Sequence, residues 1–101
     1  MQIKIPKKLQ KQMENENAIR KYYGKLADKI ILCLSVLLGA NSLDDVPNTP
    51  PTRRHKLLGA YKECWGIDLS SNWRMVIRPA QFDADISKII EVEIIDIVDY
   101  H

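Results

Sequence analysis

Cysteine is scarce in this 101-residue chain: Cys33 and Cys64 are the only two, each within an apolar stretch, with no C-x-x-C pair. A disulfide scaffold is thereby excluded, and a reducing compartment is the expected setting. Long hydrophobic runs are also missing. The longest, Ile30 to Ala40, is eleven residues interrupted by Ser35, whereas a membrane-spanning helix needs about 20. The first ten residues carry lysines but no extended apolar segment and no small-residue cleavage site, so nothing there marks the chain for secretion, and cytoplasm is expected. Net charge is small, +2 with a pI near 8.6, below the value of about 9 usual for nucleic-acid-binding domains. The sequence has no internal repeat, no low-complexity stretch, no Gly-rich phosphate loop, no nucleophile motif and no His/Cys/Asp cluster with metal-ligand spacing. No metal or cofactor is expected.

What is present is the profile of one ordinary domain over residues 1–101, 46% hydrophobic and 28% charged. A domain of this size buries only about two-thirds of its unfolded surface, so a partner could contribute to its stability. Charge is unevenly spread. Residues 1–29 hold eight Lys/Arg against three Asp/Glu, residues 53–78 six against two, and residues 79–101 one against six. Two basic blocks could converge on one face and meet phosphates, or could simply be solvated surface.

Gln2 to Ile5 alternates polar and apolar residues before Pro6 and predicts a short strand. Lys7 to Met13 suits a short helix. Asn17 is then the candidate N-cap of a longer one, whose apolar positions from Ile19 through Tyr22, Tyr23, Leu26, Ile30, Cys33 and Leu34 to Leu37 and Leu38 recur at steps of three and four. Gly24 loosens its first turns, and Gly39 or Asn41 stops it. Residues 41–54, with Pro47, Pro50 and Pro51, predict an extended but ordered loop. Three strand-like runs follow, 63–69, 73–78 and 89–98, the first two separated by a hairpin-length Ser70-Ser71-Asn72 and all expected to pair antiparallel. Alternation places Trp73, Met75 and Ile77 on one sheet face and Arg74, Val76 and Arg78 on the other. Trp65 and Trp73 are read as sheet packing.

Four stretches in order carry a resemblance: Pro50-Pro51 leading into Arg53-Arg54-His55-Lys56-Leu57-Leu58-Gly59, then Cys64-Trp65-Gly66-Ile67-Asp68-Leu69, then Asn72-Trp73-Arg74-Met75-Val76-Ile77, and Ile97-Val98-Asp99-Tyr100-His101. Together they resemble RelE/ParE-superfamily toxins of type II toxin–antitoxin pairs, in the HigB-like branch. The resemblance implies an α+β fold of order β-α-α-β-β-β, a small antiparallel sheet with two N-terminal helices on one face. It implies a ribosome-dependent, metal-independent endoribonuclease that cuts mRNA in the ribosomal A site, the substrate's own 2′-hydroxyl attacking the adjacent phosphate. The implied partners are a cognate antitoxin of the helix-turn-helix HigA-like kind and, through that complex, operator DNA; no membrane is involved.

Carried over residue by residue, His101 is the leading proton-transfer group, because imidazole titrates nearest working pH. Asp99 would orient it, and Tyr100 would stack on a base or donate to a phosphate. Arg74 would fork onto phosphate oxygens as charge grows in the transition state, its alternative being a rim ion pair with Glu91 or Glu93. His55 would be a second proton-transfer group, a phosphate contact or a structural cap. Arg53, Arg54, Lys56, Lys62 and Arg78 are the candidate RNA contacts. The sequence departs from the family pattern at Leu58, where a phosphate-contacting lysine is usual, and at Ala60, usually acidic. Either cleavage is weakened, or the lysine's role passes to Lys56, Lys62 or Arg54. The alternative is a binding module on the same fold: a ParE-like gyrase inhibitor, or a homologue that keeps only antitoxin and operator binding.

Overall fold

The computed structural model describes residues 1–99; Tyr100 and His101 lie outside the described residues. Strand β1 (Gln2–Lys4) is followed by helices α1 (Lys7–Met13), α2 (Glu16–Tyr23) and α3 (Ala27–Gly39), then by strands β2 (His55–Lys56), β3 (Trp65–Asp68), β4 (Trp73–Pro79) and β5 (Glu91–Asp99). The sheet order is β1-β5-β4-β3-β2. Strands β2 to β5 pair antiparallel, as expected. The sheet as a whole is mixed, because β1 joins β5 in parallel, Ile3 opposite Val92. The helical segment between β1 and the rest is the crossover that parallel pairing requires.

The long apolar stripe read as one helix is two. Helix α2 starts two residues earlier than expected, with the Asn15 side chain accepting a hydrogen bond from the Ala18 N–H at 2.8 Å. It ends at Gly24, whose φ of +53° is a backbone state that glycine adopts without a Cβ clash. A single 3-10 turn, Gly24–Leu26, then redirects the chain into α3. Helix α3 buries Ala27, Ile30, Cys33 and Leu37 against the sheet and stops at Gly39. Strand β2, only two residues long, was not legible as a strand.

Ile67, Met75, Ile77, Val92 and Ile94 meet Leu9, Met13, Ile19 and the α3 stripe to form the main core under the helices. A smaller cluster, Leu57, Cys64 and Val76 flanked by Tyr61, Ile95 and Val98, sits on the opposite, helix-free face. A register shift between Val76 and Ile77 relative to β5 marks a bulge. No helix among the described residues is long and apolar enough to cross a membrane.

Candidate functional site

The proline-rich loop is held by its own backbone. Thr52, fully buried, donates from Oγ1 to the Pro47 carbonyl at 2.8 Å, and the Asp68 N–H donates to the Thr52 carbonyl at 2.9 Å, tying the loop to β3. Arg53 lies in the left-handed region at φ +47°, its N–H bonded to the Thr49 carbonyl at 3.0 Å. A non-glycine residue there costs roughly 1 kcal/mol, and the surrounding bonds hold it.

Loop and sheet converge on Asp68. Its Oδ2 lies 3.3 Å from Arg53 Nε, and its Oδ1 lies 2.9 Å from Arg74 Nε and 3.9 Å from His55 Nδ1. The Asp68–Arg74 contact is an ion pair without hydrogen-bond alignment. Both side chains are nearly buried, at 13% and 16% exposure, while Arg53 is 63% exposed. Arg74 is further tied down: its Nη1 donates to the Ser70 and Trp73 carbonyls at 2.8 and 3.0 Å, and its Nη2 to the Ser71 carbonyl at 3.3 Å. Its partner is therefore Asp68, not Glu91 or Glu93, and both of its terminal nitrogens donate into the 70–73 turn. Glu93 pairs instead with Arg78 at 3.1 Å.

His55 is the one histidine among the described residues. Its Nδ1 sits 2.8 Å from the Arg53 carbonyl. A carbonyl only accepts, so Nδ1 carries the proton, and Nε2 of the neutral ring presents a lone pair. The ring lies over Gly66, its cross-strand partner. A Cβ at Gly66 would meet Leu57 Cδ2 at 2.9 Å and His55 Nε2 at 3.0 Å, so glycine is what admits the imidazole. Cross-strand rows place His55, Gly66 and Val76 together, and Asp68, Arg74 and Val98 beside them, all on the helix-free face. A groove of about 560 Å³ opens beside them, lined by Lys29, Pro50, Pro51, Arg53, Asp68, Ser70, Ser71 and Arg74. Below it, Cys33 Sγ reaches toward the Asp68 carbonyl at 3.9 Å, and burial pushes its thiol up to about 11.

Of the residues expected in a site, Arg53, His55 and Arg74 are thus brought together. Arg54 is not: it is buried, donates from Nε to the Val46 carbonyl at 2.8 Å, and stacks on Trp65. Lys56 leaves the strand on the other side and also approaches Trp65. Lys62 follows the Gly59–Tyr61 turn and is exposed. Asp99 ends β5 opposite Trp73 and is exposed. Tyr100 and His101 are outside the described residues. Asp68 and Gly66 were not singled out from the sequence. An aspartate inside an apolar strand run is unusual enough to have pointed to a cationic partner. Among the described residues, no group of three His, Cys, Asp or Glu is placed to hold a metal ion.

No family model matches the chain, and no curated protein matches it. Among solved structures, the fold is similar to that of a YoeB/ParE toxin from Agrobacterium tumefaciens, with a TM-score of 0.59 and 13% sequence identity over 100% of this chain and 99% of that one. At that identity the likeness is one of fold.

Proposed function

We propose that this protein is the toxin of a type II toxin–antitoxin pair, of the HigB-like kind, and that it cleaves mRNA on the ribosome without a metal. The observation that carries the reading is the polar cluster on the helix-free face: a histidine whose Nδ1 bonds the Arg53 carbonyl, which puts the lone pair of the neutral ring on Nε2, beside an arginine paired with the Asp68 carboxylate. The fold it shares with a YoeB/ParE toxin supports the same assignment.

In the proposed chemistry the His55 Nε2 lone pair takes the proton of the substrate's 2′-hydroxyl. The resulting oxygen bonds to the adjacent phosphorus, the P–O5′ bond breaks, and the products are a 2′,3′-cyclic phosphate and a 5′-hydroxyl. His101 is the proposed acid that returns a proton to O5′, with Asp99 and Tyr100 beside it in sequence. Arg53 is the proposed phosphate ligand, because most of its guanidinium is exposed and only Nε faces Asp68. An incoming phosphate competes with the Asp68 carboxylate for it. Arg74, whose Nη1 and Nη2 both donate into the 70–73 turn, is a positioning residue that keeps Asp68 and that turn in place. Lys62 and Arg78 remain candidate contacts with RNA phosphates. The proposed partners are a helix-turn-helix antitoxin, the ribosomal A site, and operator DNA bound through the antitoxin complex, all in the cytoplasm.

A second reading has an observation of its own. Leu58, where related toxins usually carry lysine, is 76% exposed and offers the site no cation. That favours a non-nuclease binding module, such as a ParE-like gyrase inhibitor. Single-turnover cleavage of ribosome-bound message, followed by primer extension, separates the two. The nuclease reading expects cuts within translated codons, lowered at least 100-fold by His101→Ala or His55→Gln. An intact message with a DNA-damage response would overturn it in favour of the gyrase inhibitor.

A further inference from the structure

Strand β2 has two sides, and the proposed chemistry uses one. On the other, the Lys56 ammonium lies 5.2 Å from the ring centre of Trp65 and 5.9 Å from that of Phe82, and the Arg54 guanidinium lies 5.0 Å from Trp65. Trp65 is half-buried against the core, but Phe82 is 75% exposed. Between the rings runs a groove of about 340 Å³, floored by Pro79, Ile86 and Ile89, with Asp83 at its rim. An exposed aromatic ring beside a cation gains only about 0.5–1 kcal/mol from that contact. It does have the two attributes that single-stranded nucleic acid recognises, a π-face and a positive charge.

We infer that this groove is a stacking subsite for one unpaired nucleobase of an RNA strand, taken up between Phe82 and Trp65 with Lys56 on its adjacent phosphate. The inference deepens the nuclease reading and rests on it for the identity of the ligand as RNA. Three observations lead to a base rather than another occupant. Lys56 directly follows His55, and β2 is the edge of the sheet, so a strand crossing that edge runs from the Arg53–His55 cluster into the groove. The floor is apolar, as a base face requires, and every base has such a face. The Asp83 carboxylate opposes a phosphate inside the groove, which leaves the backbone on the Lys56 side and turns the base inward.

The chain has two tryptophans, so a Trp73→Phe protein reports on Trp65 alone. The probe is a 2′-O-methyl RNA octamer, which cannot be cleaved because its nucleophile is blocked. Saturable quenching of Trp65 fluorescence is expected, with affinity lowered about 5- to 150-fold by Phe82→Ala, the loss of one base stack. An octamer with the same phosphates and abasic positions should bind more weakly and quench little. Phe82 is exposed, so an unchanged melting curve for Phe82→Ala is the folding control. Absent quenching, equal affinity for the abasic octamer, or an indifferent Phe82→Ala would each overturn the inference. Octamer affinity unaffected by Phe82→Ala, together with loss of a protein partner from the same variant, would assign the groove to protein and overturn it too. Octamer quenching in a protein that cuts no message would sink the nuclease reading and leave the subsite standing.

Discussion

Strand β4 sends Met75 and Ile77 to one face of the sheet and Arg74, Val76 and Arg78 to the other, and the two sets are held by different physics. Under the helices, position follows from packing: Met75, Ile77, Ile94 and Ile30 are fully buried in one continuous core. On the helix-free face the buried cluster among the described residues is small, Leu57, Cys64 and Val76 flanked by Tyr61, Ile95 and Val98, and the candidate site side chains are placed by polar contacts, Arg74 by hydrogen bonds to turn carbonyls and Arg53 by its ion pair with Asp68. Packing is non-directional and tolerates no exchange with solvent, whereas an ion pair at a half-open surface can be traded for a substrate phosphate. The closed face holds the domain together, and the open face keeps its cations in register.

The largest expected effect belongs to the closed face. Met75→Ala removes a fully buried side chain between sheet and helices, and should destabilise by about 2 to 5 kcal/mol. Urea titration checks it. A loss below about 1 kcal/mol would mean that the helices do not clamp the sheet as the packing implies.

Asp68→Ala comes next and tests whether the open face is held by charge. It leaves Arg74 nearly buried without its carboxylate, a loss of about 2 kcal/mol after discounting for the residual exposure of both groups. It also frees Arg53. If Asp68 only restrained the arginines, RNA affinity in the folded variant would rise; if it positions them, affinity and cleavage both fall. The second outcome is expected, because Arg74 and the 70–73 turn lose their common anchor.

The closed face was more legible in the sequence than the open one, for a physical reason. Core residues announce themselves by period: of the three- and four-residue steps, Ile19, Tyr23, Leu26, Ile30, Cys33, Leu34 and Leu37 join the core while Tyr22 and Leu38 are exposed, and of the strand set Met75 and Ile77 are buried while Trp73, read as sheet packing, is exposed. What periodicity missed were local backbone events, the break at Gly24, the Asn15 cap, the two-residue β2 and the parallel pairing of β1, each set by one residue or by a distant partner. The site was half legible. Arg53, His55 and Arg74 were picked out by residue type and resemblance. Asp68 and Gly66 matter for what they touch across strands, which one-dimensional spacing does not display. Arg54 and Lys56 show the converse, since strand alternation carries them to Trp65 and away from their neighbours.

Alkaline pH offers a third way to separate the faces. Burial raises the Cys33 thiol from 9 to about 11, so between those values the unfolded chain releases this proton and the folded one keeps it. The folded state then binds more protons, and stability falls as pH rises through that window, by about 1 to 2 kcal/mol from this group. Tyr23, raised by burial and by Asp96, pulls in the same direction. Cys33→Ala should flatten part of the decline between pH 9 and 11; an identical slope in both proteins would remove Cys33 from the account.

The smallest expected stability effect falls on Gly66, and there stability and function should part. A Cβ at this position would lie 2.9 Å from Leu57 Cδ2 and 3.0 Å from His55 Nε2. Both are side-chain atoms: the Leu57 methyl is buried and must shift within its small cluster, whereas the His55 ring, 40% exposed, can move outward, and neither disturbs the backbone ladder of β2 and β3. The cost of that adjustment is about 1 kcal/mol, the low end for added bulk at a packed position. The imidazole, however, moves off the strand it lies on, and its Nδ1 bond to the Arg53 carbonyl is strained with it. A proton-transfer group displaced by about 1 Å loses on the order of 100-fold in rate. Gly66→Ala should therefore melt within a few degrees of wild type and cleave ribosome-bound message about 100-fold more slowly, with its single-turnover rate reduced rather than its ribosome affinity. Cleavage within threefold of wild type in a protein whose His55 ring has moved would show that Nε2 takes no part in proton transfer, and would leave His55 as the cap of the 53–55 turn.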